Sequence, residues 1–167
     1  MPPCCFFPSR ASRLERVLRE VVWGEQTARV EQPASPPQRL AAYHPLRILL
    51  AEDNRVNQLV VVRMLRSLGY TPTVVDNGRG AIEALRATPY DVVLMDMQMP
   101  DMDGLEATRI IRRELPSDRQ PRVVALTANV LDEHVHEFHD AGADGFLAKP
   151  ITLDKLAGVL KDAEPSR

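Results

Sequence analysis

From Leu46 onward the chain alternates between short apolar runs and longer segments whose apolar residues recur every three or four positions. The runs at Leu46–Ala51, Thr73–Val75, Val92–Met95, Val123–Leu126 and Gly145–Leu147 predict buried strands. Between them, helical spacing predicts helices at about Arg55–Leu68, Gly78–Ala87, Gly104–Leu115, Val130–Ala141 and Leu153–Leu160. In the first helix Val56, Leu59, Val60, Met64 and Leu68 read as one apolar face. Gly69 is suited to end it as a left-handed C-cap. Strict alternation of strand and helix implies an α/β domain, a parallel sheet covered by helices on both faces. Such sheets carry their chemistry at the carboxyl ends of the strands, near the switch in strand order.

Residues 1–45 have a different character. They hold seven of the fourteen prolines and six Lys/Arg against four Asp/Glu, whereas the remainder holds fifteen against nineteen. The segment Glu31–Pro45 reads as a linker, because its prolines deny it regular hydrogen bonding. Leu14, Val17, Leu18, Val21 and Val22 predict one short amphipathic helix between Ser12 and Trp23, with Ser12 and Glu15 spaced as a capping box. One such helix cannot form a core alone. The expected organisation is an N-terminal extension over 1–45 and one folded domain over 46–163.

The overall balance excludes several classes. A net charge of -2 and 5% aromatic residues argue against bulk nucleic-acid binding and base stacking. The two cysteines, Cys4 and Cys5, are adjacent, so no disulfide framework is expected and a cytoplasmic location fits. No apolar run is long enough to span a bilayer, and Pro8 cuts off the short apolar stretch near the N-terminus, against a signal peptide. Residues 1–45 are also too few for an ATP-binding kinase core.

Reactive side chains fall where the fold wants them. Glu52 and Asp53 follow the first strand, Asp96 the third, Thr127 the fourth and Lys149 the fifth. Three neighbouring carboxylates repel one another, and a divalent cation with oxygen ligands relieves this. Mg2+ suits a site of carboxylates and phosphate oxygens; the lack of His or Cys at these positions disfavours zinc. A carboxylate is also a nucleophile toward phosphorus. The cluster therefore reads as an aspartyl phosphorylation site: Asp96 attacks, Glu52 and Asp53 hold the metal, and Lys149 and Thr127 bind phosphoryl oxygens. Each residue taken singly has a plainer role, as a helix cap, a turn former or a surface lysine. Coincidence at four strand ends is the less economical account.

The stretches ILLAEDNRVNQ, YDVVLMDMQMPDMDGLEATRIIR, VVALTAN and AGADGFLAKPI resemble the response-regulator receiver family of two-component signalling, over roughly Leu46 to Leu160. The Glu-Asp-Asn start and the Met-Asp-Met-Gln-Met-Pro run are most similar to receivers attached to hybrid histidine kinases. The resemblance implies a flavodoxin-like doubly wound sheet of five parallel strands with five helices. It implies that Asp96 takes a phosphoryl group from a phosphohistidine of a histidine kinase or histidine-phosphotransfer protein, with Mg2+. Glu52, Asp53, Asp96 and the backbone carbonyl of Gln98 would ligate the metal, and Lys149 and Thr127 would serve the phosphoryl group. Thr127 and Phe146 would form the switch, and a phosphorylation-dependent dimer is admitted. Phe146 lacks the hydroxyl that a tyrosine would bring. Gln98 and Asn129 stand where the family tunes hydrolysis.

Two other functions compete. A small-molecule phosphohydrolase with an aspartyl nucleophile typically wants an acid two residues after it, where this chain has Gln98, and usually carries the nucleophile after the first strand. A receiver kept only as a scaffold is disfavoured because every phosphorylation residue is present. The histidines at 134, 136 and 139 and the methionines at 95, 97, 99 and 102 read as helix surface and packing respectively.

Overall fold

The computed structural model describes residues 40–128 and 132–163. The sequence-predicted helix at Ser12–Trp23, the adjacent Cys4 and Cys5, most of the proline-rich linker, and Asn129 lie outside them. Five strands are described: β1 (Ile48–Ala51), β2 (Thr73–Val75), β3 (Val92–Asp96), β4 (Arg122–Thr127) and β5 (Gly145–Ala148). Helices α1 (Arg55–Ser67), α2 (Gly78–Ala87), α3 (Gly104–Glu114), α4 (Asp132–Ala141) and α5 (Leu153–Lys161) alternate with them. One helical turn, Leu40–Tyr43, precedes β1.

All pairings are parallel, in the order β2-β1-β3-β4-β5. The chain winds outward from β1 in both directions, which puts the topological switch between β1 and β3. The two-residue period of the strands divides the core. Ile48, Leu50, Val92 and Leu94 pack with Val61 and Leu65 of α1 and with Leu156 and Leu160 of α5. Leu49, Ala51, Val93 and Met95 pack on the other face with Ala81, Ile82 and Leu85 of α2 and with Ala107 and Ile111 of α3. Both faces of the central strands are dry, which is why those strands read as unbroken apolar runs.

The expected apolar face of α1 is corrected in part: Met64 and Leu68 pack on the core as expected, but the residues at 56, 59 and 60 do not. Val56, Leu59 and Val60 are 68%, 62% and 43% exposed, while Val61, Leu65 and Leu68 are buried. This helix is apolar around more than half its circumference, so spacing admits two faces, and the sheet takes the one at 61, 65 and 68. Gly69 does adopt a positive φ of 95° at the end of the helix, and the Tyr70 N–H donates to Leu65 O at 2.9 Å.

The turn at Leu40–Tyr43 packs on the α1/α5 side of the core through Leu40 and Ala41. The Ala41 N–H donates to Leu68 O at 3.1 Å and the Tyr70 hydroxyl donates to His44 O at 2.7 Å. His44 Nε2 also meets Ala163 O. Burial raises the Tyr70 hydroxyl pKa above its ordinary value.

Candidate functional site

The carboxyl edge of the sheet is assembled from local signals that each fix one side chain. β1 ends at Ala51, and Glu52 continues it, its N–H donating to Val75 O of β2 at 3.1 Å. Asn54 then caps α1, its Oδ1 accepting from the N–H groups of Val56 at 2.9 Å and Asn57 at 3.3 Å. This cap turns the chain at once, leaving Glu52 buried and Asp53 exposed.

Asp96 is the last residue of β3 and only 5% exposed. The loop beyond it folds back tightly. The Gly104 N–H donates to Met97 O at 3.1 Å, and Asp101 takes a left-handed φ of 67°. A Cβ on Gly104 would stand 2.1 Å from Asp96 O, so glycine alone fits there. Thr127 ends β4, and the Lys149 N–H donates to its carbonyl at 2.7 Å. That bond joins the last two strand ends and seats Lys149; the Lys149–Pro150 peptide is cis.

These elements bring the sequence-predicted residues together. Lys149 Nζ donates to Glu52 Oε2 and to Asp96 Oδ2, both at 2.8 Å. Ligand oxygens of Glu52, Asp53 and Asp96 lie within 4.8 Å of one another. The residues open onto a cleft of about 500 Å³ that Thr127, Ala128 and Gln98 also line. The Gln98 N–H reaches Asp96 Oδ1 at a long 3.5 Å. Phe146 stands apart on edge strand β5, 48% exposed.

Sequence reasoning missed two participants. Asn57 Nδ2 donates to Glu52 Oε1 at 2.8 Å, and Gln58 Nε2 donates to Glu52 O at 2.6 Å. Their signal was available in principle: both sit in the first turn of the helix that Asn54 starts, close to the end of β1.

Electrostatics separate the two buried acids. Burial pushes Glu52 up, but the hydrogen bonds from Lys149 and Asn57 outweigh it and hold the carboxyl below its ordinary value. Burial also pushes Asp96 up, and there the opposing Lys149 bond does not overcome burial plus the Glu52 charge, so Asp96 stays raised. Lys149 is pulled down by burial and up by both carboxylates, with a net rise. The donor set is all oxygen, anionic in excess and open to solvent at Asp53, which fits a hard divalent cation.

Residues 48–161 match the family model of the response regulator receiver domain, over more than half of the chain. The chain belongs to that family. It is 38% identical over 141 residues to histidine kinase 5 of Arabidopsis thaliana, covering 69% of this chain and 15% of the relative. It is 44% identical over 124 residues to hybrid signal transduction histidine kinase H of Dictyostelium discoideum, covering 72% and 9%. The chain thus spans a small part of these relatives. Among solved structures, the receiver domain of the sensor histidine kinase PA1611 from Pseudomonas aeruginosa PAO1 is 43% identical with a TM-score of 0.64, covering 70% of this chain and 94% of that one. That domain carries a magnesium ion coordinated in its active-site cleft. The Saccharomyces cerevisiae receiver of Ssk1, crystallised with the histidine phosphotransfer protein Ypd1, is 26% identical with a TM-score of 0.64, covering 70% and 86%. The receiver described here is a two-component phosphorelay module. Among the described residues no helix is long and apolar enough to cross a membrane.

Proposed function

We propose that Asp96 is the phosphoacceptor of this receiver, charged from a phosphohistidine on a histidine kinase or histidine-phosphotransfer protein. The observation that carries the reading is the double grip of Lys149 Nζ on Glu52 and Asp96, 2.8 Å from each, with Asp53 beside them. An Asp96 carboxylate oxygen attacks phosphorus, the new P–O bond forms, and the P–N bond breaks with the electron pair returning to the imidazole. Lys149 leaves its carboxylates to bind a phosphoryl oxygen, and the Thr127 hydroxyl donates to another. Glu52, Asp53, Asp96 and the Gln98 carbonyl would hold Mg2+, which when bound neutralises charge on the carboxylates and the transferred group. The same reading places the receiver in the cytoplasm, with the ATP that charges its histidine donor.

The partner reading is supported by the exposed apolar side of α1. Val56, Leu59 and Val60 lie on the helix that starts beside the cleft, and Val60 with Pro150 and Ile151 lines an apolar groove reaching Glu52 and Lys149. A docking histidine-bearing domain would cover these residues while presenting its phosphohistidine to Asp96. Rearrangement of Thr127 toward the phosphoryl group, followed by Phe146, would change the surface around β5 and thereby partner choice or self-association.

Incubation with acetyl phosphate and Mg2+ tests the acceptor. Wild type is expected to gain the mass of one phosphoryl group and Asp96→Asn none; an equal gain by both would move the acceptor elsewhere. Sustained turnover of a small phosphomonoester would replace the reading with a hydrolase.

A further inference from the structure

Glu52 is gripped from two sides by consecutive residues of one helical turn. Its carboxylate is fully buried, with Oε2 bound by Lys149 and Oε1 by the Asn57 amide at 2.8 Å. Its backbone carbonyl is bound by the Gln58 amide at 2.6 Å. A buried carboxylate needs donors on both oxygens. A glutamate also has one more rotatable bond than an aspartate, so more side-chain freedom must be frozen before its charge is held in place. Of the two donors, Lys149 is shared with Asp96, and in the proposed chemistry it turns to the phosphoryl group. Asn57 is shared with nothing in that chemistry, and its main chain is anchored where its own N–H donates to the Asn54 cap at 3.3 Å.

We propose that Asn57 is a positioning residue of the phosphorylation site: its amide holds the Glu52 carboxylate at the cation-binding edge of the cleft while Lys149 moves between carboxylates and phosphoryl group. This rests on the reading of the cleft as an Mg2+ and phosphoryl site. Partners that orient a metal-binding carboxylate typically change metal affinity by about 10- to 100-fold when removed. Gln58 acts on the main chain of Glu52 and not on its charged end, so the two neighbours are separable.

The test is Mg2+ titration of the full chain by calorimetry, together with the Mg2+ dependence of phosphoryl uptake from acetyl phosphate. Asn57→Leu keeps the volume and removes the donor. It is expected to weaken Mg2+ binding by about tenfold. The Mg2+ concentration for half-maximal uptake should rise by the same factor, with most of the maximal rate recovered at saturating Mg2+. A residue that only supported the fold would not move the two quantities together. If Asn57→Leu does not fold, Asn57→Ala and Asn57→Gln carry the comparison, with the amide of the Gln variant expected to restore part of the affinity lost in the Ala variant. Wild-type binding with Asn57→Leu within twofold of it overturns this inference alone. Absence of Mg2+ binding by the wild type overturns the reading of the cleft and this inference with it.

Discussion

The two ends of the β-sheet treat buried and half-buried charge in opposite ways. At the amino end, Asp91 and Asp144 each have their own cation and a backbone donor. Asp91 accepts from the Arg47 N–H and pairs with the Arg47 guanidinium, and Asp144 accepts from the Val123 N–H, at 2.7 Å, and from Arg112. Arg112 in turn donates to Gly142 O at 2.7 Å and Pro121 O at 2.9 Å, tying α3 to the starts of β4 and β5. At the carboxyl end two buried carboxylates, Glu52 and Asp96, share the single ammonium of Lys149, and a third, Asp53, stands beside them. Matched charge holds a fold together; unmatched charge held rigidly in place is a demand for something that comes and goes. The same residue types thus serve as staples at one end and as a reaction site at the other.

That contrast is exposed to mutation. The largest effect is expected for Lys149→Met, which strands fully buried Glu52 beside Asp96. Loss of one partner from a buried ion pair costs about 3 kcal/mol, and partial solvent access at Lys149 places this case at the low end. Chemical denaturation without metal measures it, and phosphoryl uptake should be lost as well. A variant as stable as wild type would mean the carboxyl end is already balanced by groups other than Lys149. Arg112→Met at the opposite end should cost about 1–2 kcal/mol, because Asp144 is half-exposed and keeps the Val123 N–H when the guanidinium goes. Its uptake from acetyl phosphate is expected to stay within twofold of wild type. A strong loss of uptake would show that the two ends are coupled through the sheet.

Saturation with Mg2+ should come next in size. At ten times the dissociation constant it stabilises wild type by about 1.4 kcal/mol, and Asp53→Asn should lose most of that gain. A thermal melt with and without Mg2+ reads the difference. No shift in wild type would mean that the unmatched carboxylates take no cation.

Most of the fold and the acidic site were legible because both depend on local order along the chain. Apolar runs mark doubly buried strands, and a reactive residue after each run lands on one edge once the strands are parallel. Glu52, Asp53, Asp96, Thr127 and Lys149 needed no more than that. The buried side of α1 was only partly legible: Met64 and Leu68 were placed on it, but Val56, Leu59 and Val60 satisfy helical spacing as well as Val61 and Leu65 do. Only the position of the sheet chooses between them. Asn57 escaped for a related reason. An amide in a first helical turn looks like any polar surface residue until the buried Glu52 carboxylate is found within hydrogen-bond reach.

The smallest and most specific effect is a pH dependence that separates the two buried acids. Asp96 is raised in the folded state by burial and by the Glu52 charge. Its contribution to stability is therefore fully present below the unfolded aspartate pKa, about 3.9, and is lost as pH rises through the folded value. Glu52 is held low by Lys149 and Asn57 against its burial, so its contribution is present above the unfolded glutamate pKa, about 4.3, and is lost as pH falls through its folded value. Asp96→Asn removes the first dependence and keeps the Lys149 and Asn57 bonds that hold Glu52 low. Without metal, the variant should melt above wild type at pH 7, and the gap should close as pH falls toward 4 and Asp96 of the wild type takes up its proton. Added Mg2+ should narrow the gap at pH 7, because the cation stabilises the charge that the variant lacks. A gap that widened on acidification would reverse the order of the two acids, with Glu52 rather than Asp96 bearing the strain of the shared site.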